Sequence, residues 1–251
     1  MRKRIAAFAI AMAALPLMAG AAGARADTTT TYQVTLDFSR ATKNGRPLTD
    51  DEIARMKAAP PLGTMTGREV VYSSGRRFRT DFPSFTIILD YRARPIEKVI
   101  NPASKTYLVI HIPTATPKPA QKQSPDDHFD VSDGMRTKVI LGHTAHLYLL
   151  DLIGADKRVS RHYEYWTATD LPARPSLSTG PETGFTSAMK KITAHGLTLQ
   201  VTVDMSQRGR YEHVLQVSRA TSVSTDPIDA STFDVPRGYK QTRKWPAKAM
   251  R

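Results

Sequence analysis

Over residues 31–39 apolar and polar positions alternate strictly, with Tyr32, Val34, Leu36 and Phe38 on one side and Gln33, Thr35 and Asp37 on the other. A period of two predicts a strand with one buried face. The period then changes. Thr49 with Glu52 three residues on makes a capping box, and Leu48, Ile53 and Met56 fall on one helical face before Pro60 and Pro61 end the run. Beyond Gly63, strands are predicted at about 69–73, 77–82, 85–91, 96–100 and 107–112. Turn chemistry at Ser74-Gly75, 81–84, 92–95 and Asn101-Pro102 separates them, so they read as antiparallel hairpins.

Residues 113–135 are proline-rich with few apolar positions, and predict a long exposed loop. Strands resume at about 137–141, 145–152 and 158–167. Pro181, followed by Phe185, Met189 and Ile192 on one face, predicts a second helix. Leu197, Leu199, Val201 and Val203 then alternate with polar partners, and a last strand is predicted at 211–220 after a turn at 206–209. About ten strands with two short helices predict an α+β chain built on a single large antiparallel sheet. Twist curls so wide a sheet, and the two amphipathic helices are the expected cover of its concave face.

The apolar positions expected on that face are Val34, Leu36, Phe38, Phe78, Phe85, Ile87, Leu89, Leu199, Val201, Leu215 and Val217. They exceed what two helices with three apolar residues each can cover. Part of the face is therefore expected to hold an acyl chain or another apolar moiety; the alternative is a solid core against the helices.

The chain has no convincing internal repeat, but several short segments occur along it in a telling order. They are Gly75 to Phe78, Ile100-Asn101-Pro102 with Lys105-Thr106-Tyr107, Leu141-Gly142-His143 followed by Tyr148, Tyr165-Trp166-Thr167 with Leu171-Pro172, and the closing Phe233-Asp234-Val235-Pro236-Arg237-Gly238-Tyr239. In these the chain resembles an uncharacterised exported bacterial family that carries a domain of unknown function and looks like the lipoprotein-carrier half-barrels LolA and LolB. The resemblance spans most of residues 31–240. It implies a LolA-like half-barrel, a curved antiparallel sheet covered by helices, with no assigned activity and no carrier residue matched position by position.

The first 26 residues read as an export signal: Arg2, Lys3 and Arg4, an uncharged apolar run, then Ala24-Arg25-Ala26 before Asp27. The body at 27–239 is then expected in the periplasm, with a basic flexible tail at 240–251. The chain has no cysteine, which excludes disulfides, thiolate metal sites, thiol nucleophiles and lipoprotein anchors. Its net charge of +13 falls to +9 once the four basic residues of the signal are removed, and to +4 without the five in the last twelve residues. So mildly basic a body argues against nucleic acid as partner. Lys240, Arg243, Lys244, Lys248 and Arg251, with Trp245 among them, are instead expected at an anionic membrane surface.

Catalytic chemistry has little support. His143 and His146 straddle a turn entering a strand, where i and i+3 face opposite sides, so no metal site is expected from them. Asp126, Asp127, His128 and Asp130 lack the spacing and turn glycine of a calcium loop. There is no G-x-S-x-G elbow, H-E-x-x-H or phosphate-binding glycine loop. The sequence thus points to a non-enzymatic periplasmic protein that needs no cofactor and binds a lipid, a lipoprotein acyl chain or another apolar ligand. The alternatives are a cell-envelope scaffold or stress-sensing protein with a solid core and, third, a hydrolase.

Overall fold

The structure, a computed structural model, describes residues 27–58, 66–112, 128–154, 156–173, 184–205 and 211–243; the expected export signal lies outside them. In chain order the first half runs β1 (Thr28–Asp37), β2 (Thr42–Lys43), β3 (Arg46–Pro47), α1 (Asp50–Ala58), β4 (Gly67–Ser74), β5 (Arg77–Asp81), β6 (Thr86–Asp90), β7 (Ile96–Asn101) and β8 (Thr106–His111). The second half runs β9 (His128–Ile140), β10 (His143–Ile153), β11 (Val159–Ala168), α2 (Gly184–Thr193), β12 (Leu197–Asp204), β13 (Leu215–Ser224) and β14 (Lys240–Thr242).

Twelve of these strands form one open sheet in the order β14-β8-β7-β6-β5-β4-β1-β13-β12-β11-β10-β9. Two antiparallel meanders, β4 to β8 and β9 to β13, therefore meet on either side of β1, which pairs with β4 and with β13. β1 is the seam of the fold, and its burial alternates as its sequence does: Tyr32 and Val34 are buried while Gln33 and Thr35 are exposed.

The sheet departs from the expected strands at two places. β9 begins at His128, so residues 128–135, expected in a loop, are sheet. Phe129 and Val131 alternate with His128, Asp130 and Ser132 there, and the polar side of a sheet edge looks like loop in composition. β14 is the second departure: Lys240, Gln241 and Thr242 pair in parallel with Thr106, Tyr107 and Leu108. The start of the basic segment is thus docked, not outside the fold. An open edge offers unpaired N–H and C=O groups to any extended segment that reaches it, and the Lys240 N–H already donates to the Lys105 carbonyl at 3.0 Å.

The helices are not equivalent. α1 carries its expected capping box, with the Thr49 N–H donating to Glu52 Oε2 at 3.1 Å and the Glu52 N–H to Thr49 Oγ1 at 3.3 Å. Yet it buries no residue. It is tied instead to the β2–β3 ribbon by Lys43 and Arg46, which hold the Glu52 carboxyl far below the usual carboxylate range. The sheet is covered by α2, which buries Ala188, Met189 and Ile192 and sets Phe185 against Phe129 and Tyr163. Among the described residues α2 is the helix that buries side chains against the sheet.

Candidate ligand-binding face

Directly paired residues of an antiparallel ladder lie on the same side of the sheet, so register assigns each position to a face. From Tyr32 the inner face runs outward in rows. Val34 pairs with Ser218, which pairs with Val201, and Val201 with Tyr165. Leu36 pairs with Gln216 and Gln216 with Val203. On the other side of the seam, Thr28 leads through Ser73 and Phe78 to Leu89, and Thr30 through Val71 and Thr80 to Ile87. Val34, Leu36, Phe78, Ile87, Leu89 and Val201 are therefore brought together on one face. Leu199, fully buried, stands two residues before Val201 on the same strand, beside a bulge opposite Trp166 and Thr167.

Phe38 and Phe85 flank that face from just outside the strands. Lys57 Nζ stands 5.5 Å from the centroid of the Phe38 ring, and Phe85 stacks on Phe82 at 4.5 Å. Leu215 and Val217 lie on the opposite face, paired with Asp37 and Thr35. The expectation that all eleven share one side fails at these two. β13 presents Gln216, Ser218 and Ala220 inward, so its polar side is the buried one.

The inner face also carries polar groups that apolar patterning does not reveal. Thr28 Oγ1, Thr30 Oγ1, Glu69 Oε2 and Gln216 Oε1 are buried without a hydrogen-bond partner among the described residues. All four sit on inner-face positions: Glu69 opposite Tyr32, Gln216 opposite Leu36, and the two threonines upstream on β1. Burial lifts the Glu69 carboxyl to about 7 and also raises Glu97, which pairs with Leu89 on the same face. A buried polar atom without a partner costs roughly 1–3 kcal/mol, so four on one face mark it off from an ordinary core. The alternation of Thr28 and Thr30 with Tyr32 was a legible signal for two of them.

Aromatic side chains close the α2 end of this face. Tyr165 is buried, its hydroxyl pushed well above the ordinary range by desolvation. Tyr148 stacks on His195 at 4.7 Å, just past α2.

Of the other residues considered, His143 and His146 fall on opposite faces, paired with Ile140 and Thr167, and His143 Nδ1 lies 2.7 Å from Asp170 Oδ2. Asp126 and Asp127 lie outside the described residues; His128 and Asp130 are on β9, opposite Ile153 and Asp151. Lys240 is in β14 and Arg243 follows it, whereas Lys244, Trp245, Lys248 and Arg251 lie outside the described residues. Among the described residues no group of three or more His, Asp or Glu could hold a metal ion, and no helix is long and apolar enough to cross a membrane.

No family model matches the chain, and neither does any curated protein. Among solved structures it is similar to PNGF-II, at 14% identity over 87% of this chain and with a TM-score of 0.37. The chain spans only 31% of the length of that protein. It is also similar to a DUF1329 family protein from Desulfovibrio piger, at 10% identity over 84% of this chain and 90% of the other, with a TM-score of 0.30. At TM-scores below 0.5 neither likeness establishes a shared fold or function.

Proposed function

We propose that this protein is a non-catalytic, periplasmic binding protein for a lipid, a lipoprotein acyl chain or another apolar ligand, held on the inner face of a LolA-like half-barrel. The observation that carries this reading is the coexistence, on one buried face, of Val34, Leu36, Phe78, Ile87 and Val201 with the unpartnered oxygens of Thr28, Thr30, Glu69 and Gln216. An amphipathic ligand matches that combination: apolar surface against the aliphatic residues, and hydrogen-bond donors for the stranded acceptors. In this reading Arg243, Lys244, Trp245, Lys248 and Arg251, beyond β14, draw the loaded protein to an anionic membrane surface.

A fluorescent fatty-acid probe tests it. Stoichiometric binding, displaced by phospholipid, is expected. Leu36→Lys, on the half-buried rim of the inner face, abolishes it, while Val217→Lys on the outer face leaves it intact. No saturable binding by the folded protein, or equal loss in both variants, overturns the reading and favours an envelope scaffold with a solid core, for which the packing of α2 on β9 and β11 already provides one half.

A further inference from the structure

The outer face carries an arrangement of charge that ligand binding does not use. One row across the sheet is cationic: Arg68 pairs with Gln33, Gln33 with Arg219, Arg219 with Gln200 and Gln200 with Trp166. Lys138 and Arg136 reach this row from β9. Lys138 Nζ stands 3.9 Å from the centroid of the Trp166 ring and donates to Gln200 Oε1 at 2.9 Å, and the Arg136 guanidinium lies 5.5 Å from the same ring. Arg68, Arg136 and Arg219 are exposed, and no ion pair among the described residues engages them. Crowding by Arg219 and Arg136 adds to burial in lowering the Lys138 ammonium, with only Glu164 opposing it.

Four residues further along the strands, about 14 Å away, the same face is acidic. Asp37 pairs with Leu215 and Leu215 with Asp204. On β10 and β9, Asp151 pairs with Asp130, placing two carboxylates side by side, and His162 Nδ1 lies 2.5 Å from Asp151 Oδ1. Between the two rows runs a mixed strip of Thr35, Val217, Thr202, Glu164 and Leu149. Four cations thus face four carboxylates across a midline. Over β5 to β7 the outer face is occupied by the chain's own closing segment, with Phe233 packed on Ile88 and Ile100; the two charged rows lie beyond it.

We propose that this half of the outer face is a docking surface for a second copy of the chain, forming a face-to-face two-fold dimer. A two-fold axis along the mixed strip turns the basic row of one copy onto the acidic row of the other. Self-complementarity of that kind is what an isologous interface requires. The axis brings Arg219 over Asp37 of the second copy one strand away, Arg136 over its Asp130, and Lys138 between its Asp151 and Asp204. Val217 and Leu149, two half-buried apolar positions of the outer face, fall on the axis. A flat anionic membrane suits the face less well, because any plane wide enough to meet the basic row also meets the acidic one. Glu164 belongs to the same strip, so its two copies meet at the axis, and the Lys138 ammonium that each carboxylate favours on its own chain moderates that repulsion. The inference does not depend on the ligand reading, since it concerns the opposite side of the sheet.

Sedimentation velocity on the intact protein and two charge-reversed variants tests it. The first variant, Arg136→Glu with Arg219→Glu, makes both rows acidic; the second, Asp37→Lys with Asp130→Lys, makes both basic. All four positions are exposed, and circular dichroism checks that each variant folds. The expected result is a wild-type dimer whose association weakens at least tenfold between about 0.1 and 1 M salt, two monomeric variants, and a dimer restored when the variants are mixed in equal amounts. Only complementary rows rescue each other in that way. A wild-type protein that stays monomeric at low salt, variants that associate as the wild type does, or monomeric variants that fail to pair when mixed overturns the proposal. Should either variant fail to fold, the salt series on the wild type decides alone: salt-independent association or none overturns it.

Discussion

The Tyr32 hydroxyl donates a 2.7 Å hydrogen bond to the carbonyl of Thr198, although β13 lies between their strands. The ring spans that strand because its register partner there is Ala220, with Ser218 next on the same face. Tyr32 is fully buried, so the bond ties the seam strand to the α2 half of the sheet inside the core.

Removing only the hydroxyl tests how much that tie contributes. Tyr32→Phe leaves a buried carbonyl of Thr198 without this donor, and stability should fall by roughly 1–3 kcal/mol. Urea unfolding should show a lower midpoint with an unchanged slope. A midpoint equal to that of the wild type would mean that the carbonyl finds another donor.

Glu69 predicts a pH dependence with a definite sign. Burial raises its carboxyl from 4.5 in the free chain to about 7 in the fold, so the folded state holds its proton more tightly than the unfolded state does. The associated stability is complete below pH 4.5 and is lost as pH rises to 7. At pH 8 the ionised, buried carboxylate costs about 3 kcal/mol. Glu69→Gln, similar in shape and uncharged, should therefore be more stable than the wild type at pH 8 by up to that amount and near parity at pH 4. Urea titrations at the two pH values measure the gap; a gap no larger at pH 8 than at pH 4 would contradict the cause assigned.

The β9–β10 turn holds a correctable strain. Leu141 and Gly142 both have positive φ, 54° and 82°, a pattern that favours Asn-Gly in two-residue hairpins. For leucine the left-handed conformation costs roughly 1–2 kcal/mol. Its side chain is exposed, so little packing is lost on replacement. Leu141→Asn should raise the thermal midpoint, and a lower one would show that the leucine packs more usefully than its exposure indicates.

How far the fold was legible follows from β1 and β13. β1 could be read because Tyr32, Val34 and Leu36 are apolar and their neighbours are not, and its face in the structure is the one that the alternation names. β13 could be recognised as a strand but not oriented. Its apolar Leu215 and Val217 point outward while Gln216 and Ser218 point inward, the inverse of what apolar burial predicts, and only pairing with β1 and β12 reveals it. The capping box at Thr49 and Glu52 placed α1 correctly, yet nothing local says whether a helix finds a sheet to cover. The polar half of the candidate site was obscured for the same reason: a glutamate in a strand reads as solvent-facing until register puts it opposite Tyr32. β14 was invisible because a three-residue edge strand is made by the vacancy beside β8 and not by its own sequence.

The closing segment gives a control that separates stability from binding. A short 3-10 turn at Ala230–Phe233, with the Ser231 N–H donating to Asp229 Oδ1 at 2.7 Å, aims Phe233 at the outer face of β6 and β7, where it is 3% exposed against Ile88 and Ile100. Two arginines of β5 hold the segment down: Arg77 stacks over the Phe233 ring at 4.5 Å and donates to the Ala230 carbonyl at 3.2 Å, and Arg79 donates to the Thr232 carbonyl at 2.9 Å. Phe233→Ala empties this small cluster and should cost about 3–5 kcal/mol, the usual range for a buried phenylalanine. Phe233→Leu should recover part of that loss. Because the cluster sits on the side of the sheet away from Leu36 and Phe78, Phe233→Leu should bind the fatty-acid probe with the wild-type constant while its urea midpoint falls. If its probe affinity drops in step with stability, the two faces are coupled through the sheet, and the assignment of the ligand to the inner face alone fails.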